Sequence, residues 1–156
     1  MRLAISLRQA LVALSAVVCS ACTHVGSASV PAPMAPRTGP DTGATIAQVY
    51  FWRAKPGKVE EYTRYIRERA EPIDAEARRS GAFISVTTYQ ASDTTVPWTH
   101  MRVFLLRDST QLRGLADALT AAGVRLEPDS VKRRLQSEYS ASLRDRVGST
   151  VTNIVR

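Results

Sequence analysis

Cysteine and histidine are both scarce in this chain, with two of each among 156 residues. Both cysteines, Cys19 and Cys22, lie near the N-terminus, so no disulfide can brace the rest of the chain. Their C-x-x-C spacing suggests redox or zinc chemistry, but no second pair completes a zinc site. Also missing are a Ser-centred nucleophile elbow, a Gly-rich phosphate loop and a metal-ligand cluster. No metal and no cofactor is therefore expected. Lysine is rare too; the cations are nearly all Arg and are spread along the chain. The tight clusters, Arg78-Arg79 and Lys132-Arg133-Arg134, sit on predicted helices beside acidic residues. That is the pattern of a solvated helix face rather than of a nucleic-acid surface.

Apolar runs are short as well. The uncharged stretch from Leu11 to Val18 falls below the about 20 residues that a bilayer span needs. It follows Arg2 and Arg8 and precedes Ser20 and Ala21, which reads as a secretory signal peptide over residues 1–21. Ser20-Ala21-Cys22 resembles the bacterial lipobox, with Cys22 as the lipidated residue, although Cys19 stands where Leu is usual. A plain secreted protein is the alternative. Cleavage before Cys22 leaves one cysteine and lowers the formal net charge from +7 to +5. Residues 22–44 carry Pro31, Pro33, Pro36 and Pro40 among Ser, Gly, Ala and Thr, without apolar periodicity. Such a stretch reads as a flexible tether. The expected location is the periplasm or cell envelope, with a membrane reached through Cys22.

The folded part is expected over residues 45–156. Thr45 to Arg53 alternates and is rich in aromatic and β-branched residues, so it predicts a strand. Lys55-Pro56-Gly57-Lys58 is a turn. Val59, Tyr62, Ile66, Ala70, Ile73 and Ala77 then build one helical stripe, with a kink expected at Pro72 and a C-terminal cap at Gly81. Residues 82–90 and 98–107 predict a strand hairpin. Asp108 caps a helix with Gln111 as its capping-box partner, and Gly123 closes it. A last helix opens at Pro128-Asp129, continues to Val147 and stops at Gly148. A short strand follows over residues 151–155. The order β-α-β-β-α-α-β, with its extra helix merged, is an α+β, ferredoxin-like unit with a four-stranded antiparallel sheet.

The aromatic first strand, the Lys55-Pro56-Gly57-Lys58 turn, the helix ending at Gly81 and the hairpin together resemble the dimeric α+β barrel superfamily. Its members include antibiotic-biosynthesis monooxygenases, haem-degrading monooxygenases and NIPSNAP-type proteins. The resemblance covers residues 46–156 and implies a homodimer in which one sheet face closes against a second subunit and lines a cavity. The haem-degrading members use an Asn, a Trp and a His. Here Trp52 or Trp98 and His100 are comparable, but Gln48 stands where an Asn is wanted and His100 reads as a strand residue. That activity is not carried over. The cofactor-independent, quinone-forming monooxygenases fit this set of residues better.

Strand alternation sorts the side chains into two faces. Ala47, Val49, Phe51, Ile84, Val86, Met101, Val103 and Leu105 make an apolar face, expected to lie under the helices. Gln48, Tyr50, Trp52, Ser85, Thr87, Tyr89, Trp98, His100 and Arg102 make the other, expected to be open and to pair in the dimer. Four large aromatics among polar groups suggest a covered surface, either a wet dimer interface or a ligand pocket. In the pocket reading His100 is the catalytic candidate, suited to proton transfer near neutral pH. Arg102 holds an acidic ligand group through its planar fork and, as a nearby cation, lowers the histidine pKa. Gln48, Tyr50, Trp52, Tyr89 and Trp98 are the remaining ligand contacts. Three functions stay open: a binder of a small aromatic or acidic ligand, a cofactor-independent monooxygenase, and a structural dimer without a ligand.

Overall fold

The computed structural model of the chain describes residues 43–155. The predicted signal peptide, Cys22 and nearly all of the tether lie outside them. Ala44, assigned to the tether, is already buried.

The first strand, β1 (Ile46–Ala54), leads through a turn at Gly57, where φ is +72°, into helix α1 (Val59–Tyr65). A π-helical turn (Ile66–Ala70) joins α1 to α2 (Glu71–Arg79). The interruption expected at Pro72 falls just before it: the π turn ends at Ala70, and Pro72 sits in the first turn of α2. Proline cannot donate to the carbonyl four residues back, and the widened turn before it lets the helix run on. Gly81, at φ +80°, ends it in the left-handed conformation that favours glycine. Strands β2 (Ser85–Gln90) and β3 (His100–Leu106) form the hairpin.

Helix α3 (Ser109–Leu126) begins at Asp108, whose Oδ1 accepts from the N–H groups of Thr110 and Gln111 at 2.8 and 2.9 Å. The Gln111 side chain accepts from Arg107 N–H, one residue ahead of the reciprocal capping-box position. The helix passes Gly123 and stops at Glu127, which is extended because it precedes Pro128. Asp129 caps α4 (Ser130–Leu143). The last helix ends at Leu143 rather than Val147, and β4 (Arg144–Asn153) starts at once. The four-residue spacing of apolar residues runs past the true helix end. The strand wins there because the backbone from Arg144 onward pairs with the full length of β1.

The sheet order is β2-β3-β1-β4, every pair antiparallel, with the two helical connections joining non-adjacent strands. This is the ferredoxin-like α+β topology expected.

One expectation about this sheet is overturned. On β1 and β3 the faces are exchanged. Phe104 and Leu106 are fully buried with Phe83, Leu115, Ala77 and Ala122, so residues 100, 102, 104 and 106 face the helices. Across the ladder, Ile46, Gln48, Tyr50 and Trp52 pair with Leu106, Phe104, Arg102 and His100 and share that face. The apolar set Ala47, Val49, Phe51, Met101, Val103 and Leu105 lies on the opposite face, with Tyr89 opposite Met101. On β2 the assignment holds, since Val86 pairs with Phe104 and packs on the core. The rule that the more apolar face goes inward fails here. The helices carry polar partners for the mixed face, and the apolar face is left to the other side.

Candidate functional site

A β-bulge between Phe51 and Trp52 on the β1–β4 ladder shapes the site. It sets Arg146 opposite Trp52 and Arg144 opposite Ala54. An unbroken register would put Val147 and Asp145 there, because a one-residue slip exchanges the faces. The bulge thus turns two arginines onto the helix side. Arg144 lies over the Trp52 ring at 3.4 Å from its centroid and 5.5 Å from that of Tyr62. Arg146 lies over Tyr50 at 4.8 Å. Such cation–π contacts are worth about 0.5–2 kcal/mol.

Between this end of the sheet and the helices opens a cavity of about 480 Å³, within the range typical of small-molecule sites. Trp52, Arg102 and Arg144 line it from the sheet, and Tyr62, Ile66, Ala70, Ile73 and Asp74 from the first helical segment. Leu119 and Val124 of α3 and Gln136, Ser137 and Ser140 of α4 complete the wall.

Arg102 donates from Nη2 to Oδ2 of Asp74, a pair in which both side chains are largely buried. Burial pushes the Asp74 carboxyl up to about 6 even with the Arg102 guanidinium beside it. Burial likewise pushes the Tyr62 hydroxyl up to about 12. It lowers the pKa of Arg144, and the neighbouring Arg102 and Arg146 act in the same direction. Three buried polar atoms have no protein partner among the described residues: Arg102 Nε, Arg144 Nε and Ser140 Oγ. All three residues line this one cavity and none lines the other recesses. Each unmet buried group costs about 1–3 kcal/mol, and the three belong to residues of one cavity wall.

The residues expected to form a pocket do not converge. Trp52 and Arg102 line the cavity, and Tyr50 stands beside it, edge-on to Phe104. Gln48 is buried, and its amide donates to the Thr150 and Val49 carbonyls at 3.1 and 3.2 Å. Trp98 lies against Phe51, and Tyr89 is exposed on the apolar face, so both sit across the sheet from Arg102.

His100 is 1% exposed, packed edge-on to Tyr62 at 4.7 Å and held at both ring nitrogens. Thr63 gives its hydroxyl proton to the Val59 carbonyl, so Nε2–H donates to Thr63 Oγ1 at 2.9 Å. Nδ1 then accepts from Thr99 Oγ1 at 3.0 Å. Its pKa falls to about 4 through burial, not through the nearby Arg102. The imidazole is neutral at pH 7 and lies behind Tyr62 rather than on the cavity wall.

The strand faces alone pointed to no carboxylate beside Arg102. The structure supplies Asp74 from α2. Its signal was available in the sequence: Asp74 falls four residues after Ala70 and three before Ala77, on the apolar stripe, where a charge demands a partner. Arg144 and Ser140 had no such signal, since both depend on where α4 ends and on the bulge. Among the described residues, no group of three or more His, Cys, Asp or Glu side chains is placed to hold a metal ion. No described helix is long and apolar enough to cross a membrane.

No protein-family model matches the chain, and comparison with curated proteins finds no match. Among solved structures the chain is similar to HapK from Hahella chejuensis, with 11% identity, a TM-score of 0.49, and coverage of 70% of this chain and 92% of that one. It is also similar to a dimeric ferredoxin-like protein from an uncultured marine organism, with 11% identity, a TM-score of 0.48, and coverage of 74% and 93%. A third is a dimeric protein of unknown function and ferredoxin-like fold from Bacteroides fragilis, with 12% identity, a TM-score of 0.45, and coverage of 72% and 95%.

Proposed function

We propose that this domain binds a small acidic ligand in the cavity between its sheet and its helices. The observation that carries the reading is the set of three unpartnered buried groups, Arg102 Nε, Arg144 Nε and Ser140 Oγ, around one aromatic-walled space. A fold keeps unmet buried donors at a cost, and an acceptor that arrives with the ligand removes it. Arg102 is the anchor, held in place by Asp74, and Trp52 and Tyr62 are the aromatic walls. His100 has a packing part in this reading, because neither of its nitrogens is free to take a proton from a ligand.

In the same reading the chain is exported by residues 1–21, anchored at the cell envelope through Cys22 and held off the membrane by residues 22–44. It works as a homodimer. The support for pairing is the apolar sheet face, where Ala47, Val49, Phe51, Met101, Val103 and Leu105 lie away from the four helices. A sheet face of this character calls for a cover. The dimer contact is thus assigned to the face opposite the cavity.

Native mass spectrometry of the protein from its own host tests the binding. The expected result is a retained small acid, lost on Arg102→Met substitution. Repeated isolation without any bound acid, together with no stabilisation by a panel of organic acids, overturns the reading.

A further inference from the structure

Helix α4 turns its apolar residues outward. Val131, Leu135 and Tyr139, spaced four apart, are 53%, 55% and 44% exposed. Its cavity side is polar instead, with Arg133, Gln136, Ser137 and Ser140 on the wall. Of its 14 residues, only Ser140 and Leu143 are buried. The helix therefore forgoes the apolar burial that fixes most helices in place.

What holds α4 lies at its two ends and at one point between them. At the C-terminal end Leu143 is buried, and its carbonyl accepts from Lys55 N–H at 2.9 Å. At the other end Arg125, paired with Glu76, fixes the close of α3. Arg133 donates to the Glu127 and Pro128 carbonyls, a local tie that travels with the helix. Between the ends, Tyr139 reaches the first helical segment. Its hydroxyl donates to Glu61 Oε1 at 2.8 Å, Lys58 holds the other carboxylate oxygen at 2.6 Å, and its ring stands edge-on to Tyr65. Among the described residues no ion pair joins α4 to another element; Arg134 pairs with Glu138 inside it. Ser140 Oγ, on α4, and Arg144 Nε, just past its end, are both buried. A ligand can meet either atom only when the helix moves.

We infer that α4 is a strap over the cavity, fixed at its ends and latched at Tyr139, which lifts to admit the ligand. What it admits rests on the acidic-ligand reading above; that it lifts rests on α4 alone. Opening exposes little new apolar surface, because Val131 and Leu135 already face outward, so it is a local event well short of unfolding.

Thiol labelling of full-length Ser140→Cys with iodoacetamide tests this, the rate at position 140 being read by peptide mass spectrometry so that Cys19 and Cys22 are scored apart. Labelling should proceed in native conditions at a rate that low urea leaves unchanged, since local opening exposes little surface. Adding Tyr139→Phe, which keeps the ring on Tyr65 and removes the hydrogen bond to Glu61, should speed it about twofold to tenfold. Excess benzoate, a small carboxylate probe, should slow it. If Ser140→Cys fails to fold, amide hydrogen exchange decides: Tyr139→Phe should speed α4 by the same factor and leave α3 unchanged. Labelling only on global unfolding, or exchange that rises equally in α3 and α4, would overturn the strap. A strap that opens as described but ignores benzoate would overturn the acidic ligand and leave the strap standing.

Discussion

Replacing Asp74 by asparagine should make the stability of this protein rise with pH far more steeply than that of the parent. Two buried groups work against each other in the parent. Asp74 has a folded pKa of about 6 against an ordinary 3.8. The stability that its protonated form contributes is full below 3.8 and is lost as pH rises through 6. His100 has a folded pKa of about 4 against an ordinary 6.5. Its contribution is full above 6.5 and is lost as pH falls through 4. Each shift corresponds to about 3 kcal/mol, the signs are opposite, and the windows nearly coincide. The two contributions largely cancel. Asp74→Asn keeps the shape and an acceptor for Arg102 but leaves the histidine slope alone, a rise of about 3 kcal/mol from pH 4 to pH 6.5 relative to the parent. His100→Gln should do the reverse and fall by a similar amount. The assay is urea unfolding of parent and both variants at half-unit pH intervals, compared as differences from the parent so that exposed carboxylates drop out. Difference profiles that are flat for both variants would refute the burial argument for the pair.

Three further outcomes are expected. Val103→Asp, on the apolar sheet face, should convert a dimer at micromolar concentration into a folded monomer, read by light scattering; a parent that is already monomeric contradicts the pairing. Leu115→Ala, at a site 1% exposed in the main core, should cost about 2–5 kcal/mol in chemical denaturation, and a loss under 1 kcal/mol would mean the core is not packed as described. Mass spectrometry of the membrane fraction should find a diacylglyceryl adduct on Cys22, lost in Cys22→Ser; a soluble mature form with Cys22 free would exclude the anchor.

The topology was legible in the sequence because its signals are local. The stripe from Val59 to Ala77, the Asp108 and Asp129 caps and Gly81 each act within a few residues, and the element order follows from them. Two features were hidden because they are decided by distant parts of the chain. The end of α4 depends on β1 needing a partner strand, which outweighs a helical period that continues to Val147. The facing of β1 and β3 depends on what the helices offer. His100 could go inward because Thr63 meets its ring, and Arg102 because Asp74 waits on α2. Hydrophobicity alone ranks the Ala47–Val49–Phe51 face as the inner one and has no knowledge of those partners. The site was half visible for the same reason. Arg102 and Trp52 stand out as strand residues, whereas Arg144 reaches the cavity through a bulge that no local pattern announces.

An acidic ligand in the cavity should change the surroundings of the two unpartnered arginine Nε–H groups. Nitrogen-15 NMR of the arginine side chains, followed during a benzoate titration, reads this directly. The Nε–H signals of Arg102 and Arg144 should move downfield together and saturate with one equivalent bound, while that of Arg53, which already donates to the Pro97 carbonyl at 2.6 Å, stays in place. Unmoved Arg102 and Arg144 signals at saturating benzoate, or shifts shared equally by all the exposed arginines, would contradict the site.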